Sequence, residues 1–149
     1  MKQVIQRLVT TDAGWGATAL RVPVGMIFAA HGAQKLFGWF GGYGLEGTGQ
    51  WMASVGLAPG VAMALLAGAA EFFGGIALVF GLLVRPAAAA LAFAMLVAIF
   101  AVHIGNGLFV ANNGFEYALA LLAASVALLI SGAGRTSADA VLARRIPGR

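Results

Sequence analysis

The chain has no cysteine and little charge: Asp, Glu, Lys and Arg make up 9% of its 149 residues, where a soluble domain carries roughly a quarter. Without thiols it has no disulfide framework and no zinc–thiolate site. The shortage of charge, beside 61% apolar residues, excludes an ordinary water-soluble globule. It excludes a disordered chain as well, since disorder requires low hydrophobicity and high net charge. Nine Lys and Arg against five Asp and Glu leave a formal +4. These charges are spread thinly, whereas nucleic-acid binding needs them clustered on one face, so no nucleic-acid partner is expected. What remains is the composition of an integral membrane protein whose first partner is the lipid bilayer.

A helix needs about 20 mostly apolar residues to cross the hydrocarbon core, and four segments approach that length: 17–37, 61–84, 87–104 and 115–132. The expected fold is an all-α membrane protein, a four-transmembrane-helix bundle in one domain covering 1–149. Arg85-Pro86 precedes the third segment, and proline suits a first helical turn, where its missing N–H has no partner to lose. Outside the segments lie Lys2, Arg7, Arg85, Arg135, Arg144, Arg145 and Arg149. All fall on one side, and the loops 38–60 and 105–114 hold no Lys or Arg. The positive-inside rule therefore places both termini in the cytoplasm, with 133–149 as a basic cytoplasmic tail. Trp15 on the inner side and Trp39, Tyr43 and Trp51 on the outer side match aromatic belts at the two interfaces. Arg21 interrupts what would be the apolar stretch of a secretory signal, so the first segment is expected to stay as an anchor. In the first outer loop Thr48 is placed to cap a short helix ended by Gly56, lying on the membrane surface or partly covering the bundle. Ser137 is placed to cap another, through Ile146, with Arg144 and Arg145 toward anionic headgroups.

Aligning Phe28 with Phe100 superposes two ten-residue stretches, 28–37 and 100–109, in which Phe, Ala, His, Leu and Phe coincide and Gln34 lies opposite Asn106. Each stretch precedes an outer loop, and each loop leads to an acid followed by an aromatic, Glu71-Phe72 and Glu116-Tyr117. The pattern suggests a tandem repeat of two helical hairpins, related by an axis along the membrane normal. Coincidence in an apolar sequence of low diversity is the competing account.

Chemistry must come from the few ionisable groups in these segments: Arg21, His31, Lys35, Glu71, His103 and Glu116. A charge at the membrane centre costs about 2.5–3.5 kcal/mol even on the lenient insertion scale, so such groups are paired, neutralised or turned inward. Glu71 shares a helical face with Ala64, Gly68 and Gly75, small residues that let another backbone approach. Glu116 repeats this with Ala120, Ala123 and Ala127, so both acids are expected to face protein. His31 and Lys35 are one turn apart with Gln34 between them, and His103, Asn106, Asn112 and Asn113 put further polar groups in the outer half. Arg21 stands near the inner end beside Pro23, a residue able to kink the helix. Its expected partner is a lipid headgroup, or Glu71 from below. Glu71 with Lys35 or Arg21 could be only an ion pair that fixes helix register. The two histidines could simply bond backbone carbonyls. Two facing imidazoles could ligate a haem, and two His with two Glu could hold a metal, but no spacing motif supports either. A polar pocket closed by aromatics, able to hydrogen-bond and protonate a quinone-like ligand, needs only the residues in view, with Tyr117 among them.

Several stretches are similar to one known family. His31-Gly32-Ala33-Gln34-Lys35-Leu36-Phe37-Gly38, Phe40-Gly41-Gly42, Ala70-Glu71-Phe72-Phe73-Gly74-Gly75, Gly81-Leu82 with Arg85, and Asn112-Asn113-Gly114-Phe115-Glu116-Tyr117 together resemble the DoxX family of small bacterial inner-membrane proteins. The resemblance runs from about Leu20 to Leu142 and implies a four-helix bundle in the bacterial plasma membrane. It also implies a link to redox chemistry, as a quinone-linked oxidoreductase subunit or a membrane partner of a soluble sulfur-handling or superoxide-detoxifying enzyme. With no cysteine, any thiol or sulfur step would belong to that partner. The resulting expectation is a redox subunit in which His31, Lys35, Glu71, His103 and Glu116 exchange protons. Gln34, Asn106, Asn112, Asn113 and Tyr117 would bind the ligand, and Arg21 would be structural. The alternative is a non-catalytic membrane scaffold for a partner enzyme, or a small-solute or proton carrier.

Overall fold

The computed structural model describes residues 9–11 and 13–145, and all regular structure among them is helical. Six helices follow in order: α1 Trp15–Phe37, α2 Gly44–Ser54, α3 Gly60–Phe80, α4 Val84–Ala98, α5 Glu116–Ser131 and α6 Ala138–Arg145. Among the described residues two runs are long and apolar enough to cross a membrane, Gly60–Phe80 and Val84–Asn106, while Glu116–Ser131 is apolar but shorter.

The helices α1, α3, α4 and α5 alternate in direction, giving the bundle one end near the chain termini and an opposite loop end. The tightest pairings are α1 with α3 and α5 with α4. The first depends on small residues. A Cβ added at Gly25 would lie 2.7 Å from the Gly75 carbonyl oxygen, and one at Gly32 would run into the Phe72 backbone. Between apolar helices without a hydrophobic drive to associate, such backbone-to-backbone approach supplies the packing contact. The core continues through Val24, Phe28, Leu78, Leu91, Met95, Leu121 and Leu128.

The face of α3 bearing Ala64, Gly68, Glu71 and Gly75 is buried, as the sequence predicts. The matching expectation for α5 fails. Its buried residues are Ala118, Leu121, Ser125 and Leu128, while Ala120, Ala123 and Ala127 are exposed. Alanine is equally suited to either side of so apolar a helix, and α5 buries instead the side where Leu121, Leu128 and Ser125 meet the core. The proposed repeat is likewise uneven in environment: Phe28 is 1% exposed and Phe100 66%. The first stretch lies in regular helix, the second in a π-helical turn, Ile99–His103, followed by a 3₁₀ turn, Ile104–Asn106.

The termini end is closed by a polar knot. Arg21 is 2% exposed, and its guanidinium donates to the Leu78 and Val79 carbonyls at 2.7 and 2.6 Å, to Ala133 at 2.9 Å and to Thr136. Arg21 is thus taken up by main-chain carbonyls and does not reach Glu71, one of its two expected partners. It caps the last turn of α3, adding a donor to the Leu78 carbonyl, which also takes the Gly81 amide at 3.1 Å, and supplying one to Val79. Gly81, at φ 67, ends that helix where any side chain would collide with Arg21 and Ser137. Asp139, 1% exposed, accepts from the Leu83 and Val84 amides at 2.7 and 2.9 Å, satisfying the orphan donors that open α4. Ser137 caps α6 as expected, accepting from the Ala140 amide at 3.1 Å; the expected end at Ile146 lies outside the described residues. Thr48 does not start α2, which begins at Gly44, four residues earlier; Thr48 is a buried interior residue.

Candidate functional site

At the loop end the bundle leaves a cavity of about 890 Å³ between α1, α3, α4 and α5, with α2 along its outer side. That size is within the usual range of small-molecule pockets, ~300–1,000 Å³. Its apolar wall includes Phe28, Met95 and Leu121; the four helices and the segment between α4 and α5 bring His31, Gln34, Lys35, Glu71, His103, Asn113 and Tyr117 to it, and α2 with the turn before it adds Tyr43, Thr48, Gln50 and Ser54.

The close α1–α3 seam creates the centre of the site. Because Gly32 and Gly75 let the two backbones approach, Lys35 on α1 reaches across to α3, and its Nζ donates to Glu71 Oε2 at 2.6 Å. The Glu71 side chain is 6% exposed and that of Lys35 23%, so the acid is enclosed and the ammonium borders open space. Of the two partners considered for Glu71, Lys35 is the one it has. His31, one turn before Lys35 on α1, lies 6.1 Å ring to ring from Tyr117 on α5, tilted by 54°. This contact spans the gap between the two helix pairs. Gln34 lines the cavity and braces the turn after α1, its amide donating to the Phe40 carbonyl at 3.3 Å.

His103 reaches the cavity from the opposite side because the π-helical turn follows α4 there. Such one-turn irregularities are frequent at functional sites. Its Nδ1 is 2.8 Å from the Asn113 carbonyl. A carbonyl only accepts, so Nδ1 carries a hydrogen, and in the neutral ring Nε2 is left as an acceptor. The Asn106 amide shares the Asn113 carbonyl at 3.2 Å, and Asn113 itself sits at φ 59, a left-handed position that asparagine tolerates.

The sequence-predicted residues thus divide. His31, Gln34, Lys35, Glu71, His103, Asn113 and Tyr117 meet at one cavity; Asn106, Asn112, Glu116 and Arg21 do not line it. Glu116 instead accepts from the Val110 amide at 2.6 Å, bracing the loop before α5. Sequence reasoning missed Phe28 and Thr48 as lining residues. For Thr48 the helical spacing to Trp51 and Met52 was the available signal. Asp139 was missed as well, because its bonds reach back some 55 residues and leave no local trace. Among the described residues no cluster of three His, Asp or Glu side chains has the arrangement of a metal site.

A family model for DoxX matches residues 16–104. The chain belongs to the DoxX family. Its membership agrees with a protein from Bacillus subtilis (strain 168) named "Putative oxidoreductase CatD", which is 36% identical over 113 residues, 76% of this chain and 78% of that one. No solved structure matches. As a DoxX-family membrane protein, the chain carries His31, Lys35 and Glu71 within the matched region, whereas Glu116 and Tyr117 lie beyond it.

Proposed function

We propose that this chain is an integral membrane, quinone-linked oxidoreductase subunit, and that the loop-end cavity is where the quinone binds. The observation that carries the reading is the meeting of an enclosed Lys35–Glu71 pair, two imidazoles and a phenol at one largely apolar chamber. In this reading α1, α3, α4 and α5 are four spans of a single membrane domain built as two hairpins. The basic residues Arg85, Arg135, Arg144 and Arg145 all belong to the termini end, which supports a cytoplasmic location for that end and an exterior location for the cavity in a bacterial inner membrane.

The donor set suits the ligand. Two carbonyl oxygens on a flat apolar ring call for hydrogen-bond donors at the edge and apolar surface on the faces. Lys35 Nζ, the Tyr117 hydroxyl and the His31 imidazole supply the first, and Phe28, Met95 and Leu121 the second. A bound quinone would contribute the capacity to accept two electrons and two protons. The chain's own groups bind, orient and hold protons. Glu71 holds Lys35 in position through their hydrogen bond, and Lys35 borders the chamber as a donor. His31, within a turn of Lys35, is a proton-exchanging group at the chamber wall. His103, fixed by the Asn113 carbonyl through Nδ1, presents its other nitrogen as the second exchange point. Electrons come from a partner redox enzyme, soluble or membrane-bound, because no side chain here is a two-electron donor.

A second reading has one observation in its favour. The 2.6 Å Lys35–Glu71 bond already satisfies both charges without a ligand, as it would in a scaffold or a proton carrier. The discriminating experiment is quinone content and quinone affinity of the purified protein in nanodiscs, for the native chain, Glu71→Gln and His31→Ala. Native protein that retains quinone, and variants that fold but lose it, support the redox reading. Native protein that neither carries nor binds quinone, while still recruiting a partner enzyme, rejects it in favour of the scaffold.

A further inference from the structure

The cavity extends sideways into the seam between α3 and α4. Near the termini end these helices touch: a Cβ added at Gly74 would lie 3.1 Å from Leu91 Cγ. In an antiparallel pair the same register recurs two turns along, seven residues up one helix and down the other, roughly 10 Å away. That register sets Ala67 opposite Ala98. By this spacing alanines take the place that Leu91 fills lower down, and Ala67 and Ala98 both line the cavity, as does Ala94 one turn from Leu91. All three alanines are half-buried. Their chain neighbours Leu66 and Phe93 are strongly exposed, as is Phe100, so the outer edge of the seam is apolar. Glu71 is one turn from Ala67 on the same helix, so the seam runs directly into the polar centre.

Resting on the quinone reading, we infer that the α3–α4 seam is a lateral portal. The ligand is a membrane-borne amphiphile whose polar head sits at Lys35–Glu71 and whose long apolar tail lies between Ala67, Ala94 and Ala98. A polar, water-borne substrate would have no use for such an alanine-lined exit onto an apolar face. A tail attached to the ring needs one, because the head cannot reach the enclosed carboxylate while the chain stays in lipid unless two helices part beside it. Ala67 and Ala98 then determine specificity by leaving the seam unfilled, and they touch only the tail.

The test uses the full chain in nanodiscs and two quinones with the same ring, one bearing a long isoprenoid tail and one without it. Ala98→Phe and, as a milder filling, Ala67→Leu are compared with the native chain, and thermal unfolding of each variant checks that it is folded. The expected result is a loss of about tenfold or more in affinity for the tailed quinone, with the tail-less one changed by less than about twofold, as removal of a few buried methylene contacts predicts. Equal affinity for the tailed quinone in the native chain and both variants would overturn the portal and leave the quinone site standing. So would a parallel loss of both quinones, which would make the seam part of the head site. If the native chain binds neither quinone, the functional reading falls, and a diazirine-bearing alkyl probe with a neutral head decides the portal separately. Labelling at Ala67 and Ala98 that Ala98→Phe suppresses supports a chain-admitting seam, and labelling confined to the outer faces rejects it.

Discussion

The two ends of the bundle both gather charge inside an apolar molecule, but they use it differently. At the termini end, Arg21 and Asp139 spend their hydrogen-bonding capacity on main-chain groups, capping the end of α3 and the beginning of α4. At the loop end, Lys35 and Glu71 bond each other across a helix seam and border a chamber that other polar side chains share. A charge bound to backbone fixes a fold, and a change in its protonation would undo it. A charge bound to a side chain beside open space can exchange its partner for a ligand. The comparison teaches that depth and charge alone do not mark function in such a protein; the identity of the partner does.

If that distinction is right, the largest stability effect belongs to the termini end. Arg21→Met strands several carbonyls at once, and removing one partner from a buried, hydrogen-bonded charge network costs on the order of 3–5 kcal/mol. The expected outcome is a protein that fails to accumulate or unfolds far below the native temperature in detergent. Asp139→Ala, which frees the two amides opening α4, should fall only slightly short of it. Ligand binding measured on whatever folded fraction remains should be unchanged. A folded Arg21→Met protein of native thermal stability would break the comparison.

The loop end should show the reverse. Glu71→Gln leaves Lys35 without its counter-charge, and Lys35→Met leaves the carboxylate enclosed, so each single change lowers stability by ~1–3 kcal/mol. The double variant Lys35→Met/Glu71→Gln removes both charges, and its stability should recover toward the native value because a buried pair replaced together costs little. Quinone binding, by contrast, should be lost in all three. Thermal unfolding and quinone affinity measured on the same four proteins sharpen the contrast: recovery of both together would mean that the pair is only a fastening.

Which of these residues the sequence made visible follows from what lies close along the chain. The inward face of α3 was legible because Gly68, Glu71 and Gly75 mark it by smallness and charge together. On α5 the alanine stripe pointed the wrong way, since leucine and alanine are equally at home against lipid or protein and Glu116 had a local partner in Val110. His31, Lys35 and Glu71 were readable as a group from the rarity of charge in apolar helices. That Glu71 takes Lys35 and not Arg21 depended on the direction of the α1–α3 packing, which no single segment contains. Arg21 and Asp139 were opaque for the same reason: their partners are carbonyls and amides, which every residue has.

A seam variant separates the two ends by geometry instead of charge. Gly32→Ala adds one methyl group where the Phe72 backbone already occupies the space, and overpacking of this kind costs ~1–3 kcal/mol. The separation it forces lies one turn from Lys35, so the Lys35–Glu71 bond should lengthen while the Arg21 contacts, near the other end of α1, persist. Quinone affinity is then expected to fall further than thermal stability does.

The smallest effect is expected at Glu116, the acid whose sequence surroundings most resemble those of Glu71. Glu116→Gln keeps an acceptor oxygen for the Val110 amide, so the loop before α5 should hold its shape, with a stability change within about 0.5 kcal/mol, as for most substitutions away from a buried network. Because the side chain does not line the chamber, quinone affinity should change by less than about threefold, where Glu71→Gln is expected to abolish it. Glu116→Ala removes the acceptor altogether. It should loosen residues 107–114, detectable as faster amide hydrogen exchange there, and reach the site only through Asn113, whose carbonyl holds His103. A drop in affinity for Glu116→Gln as large as that for Glu71→Gln would mean that the two acids act as a matched pair after all, and that the loop bond at Val110 opens when the ligand enters.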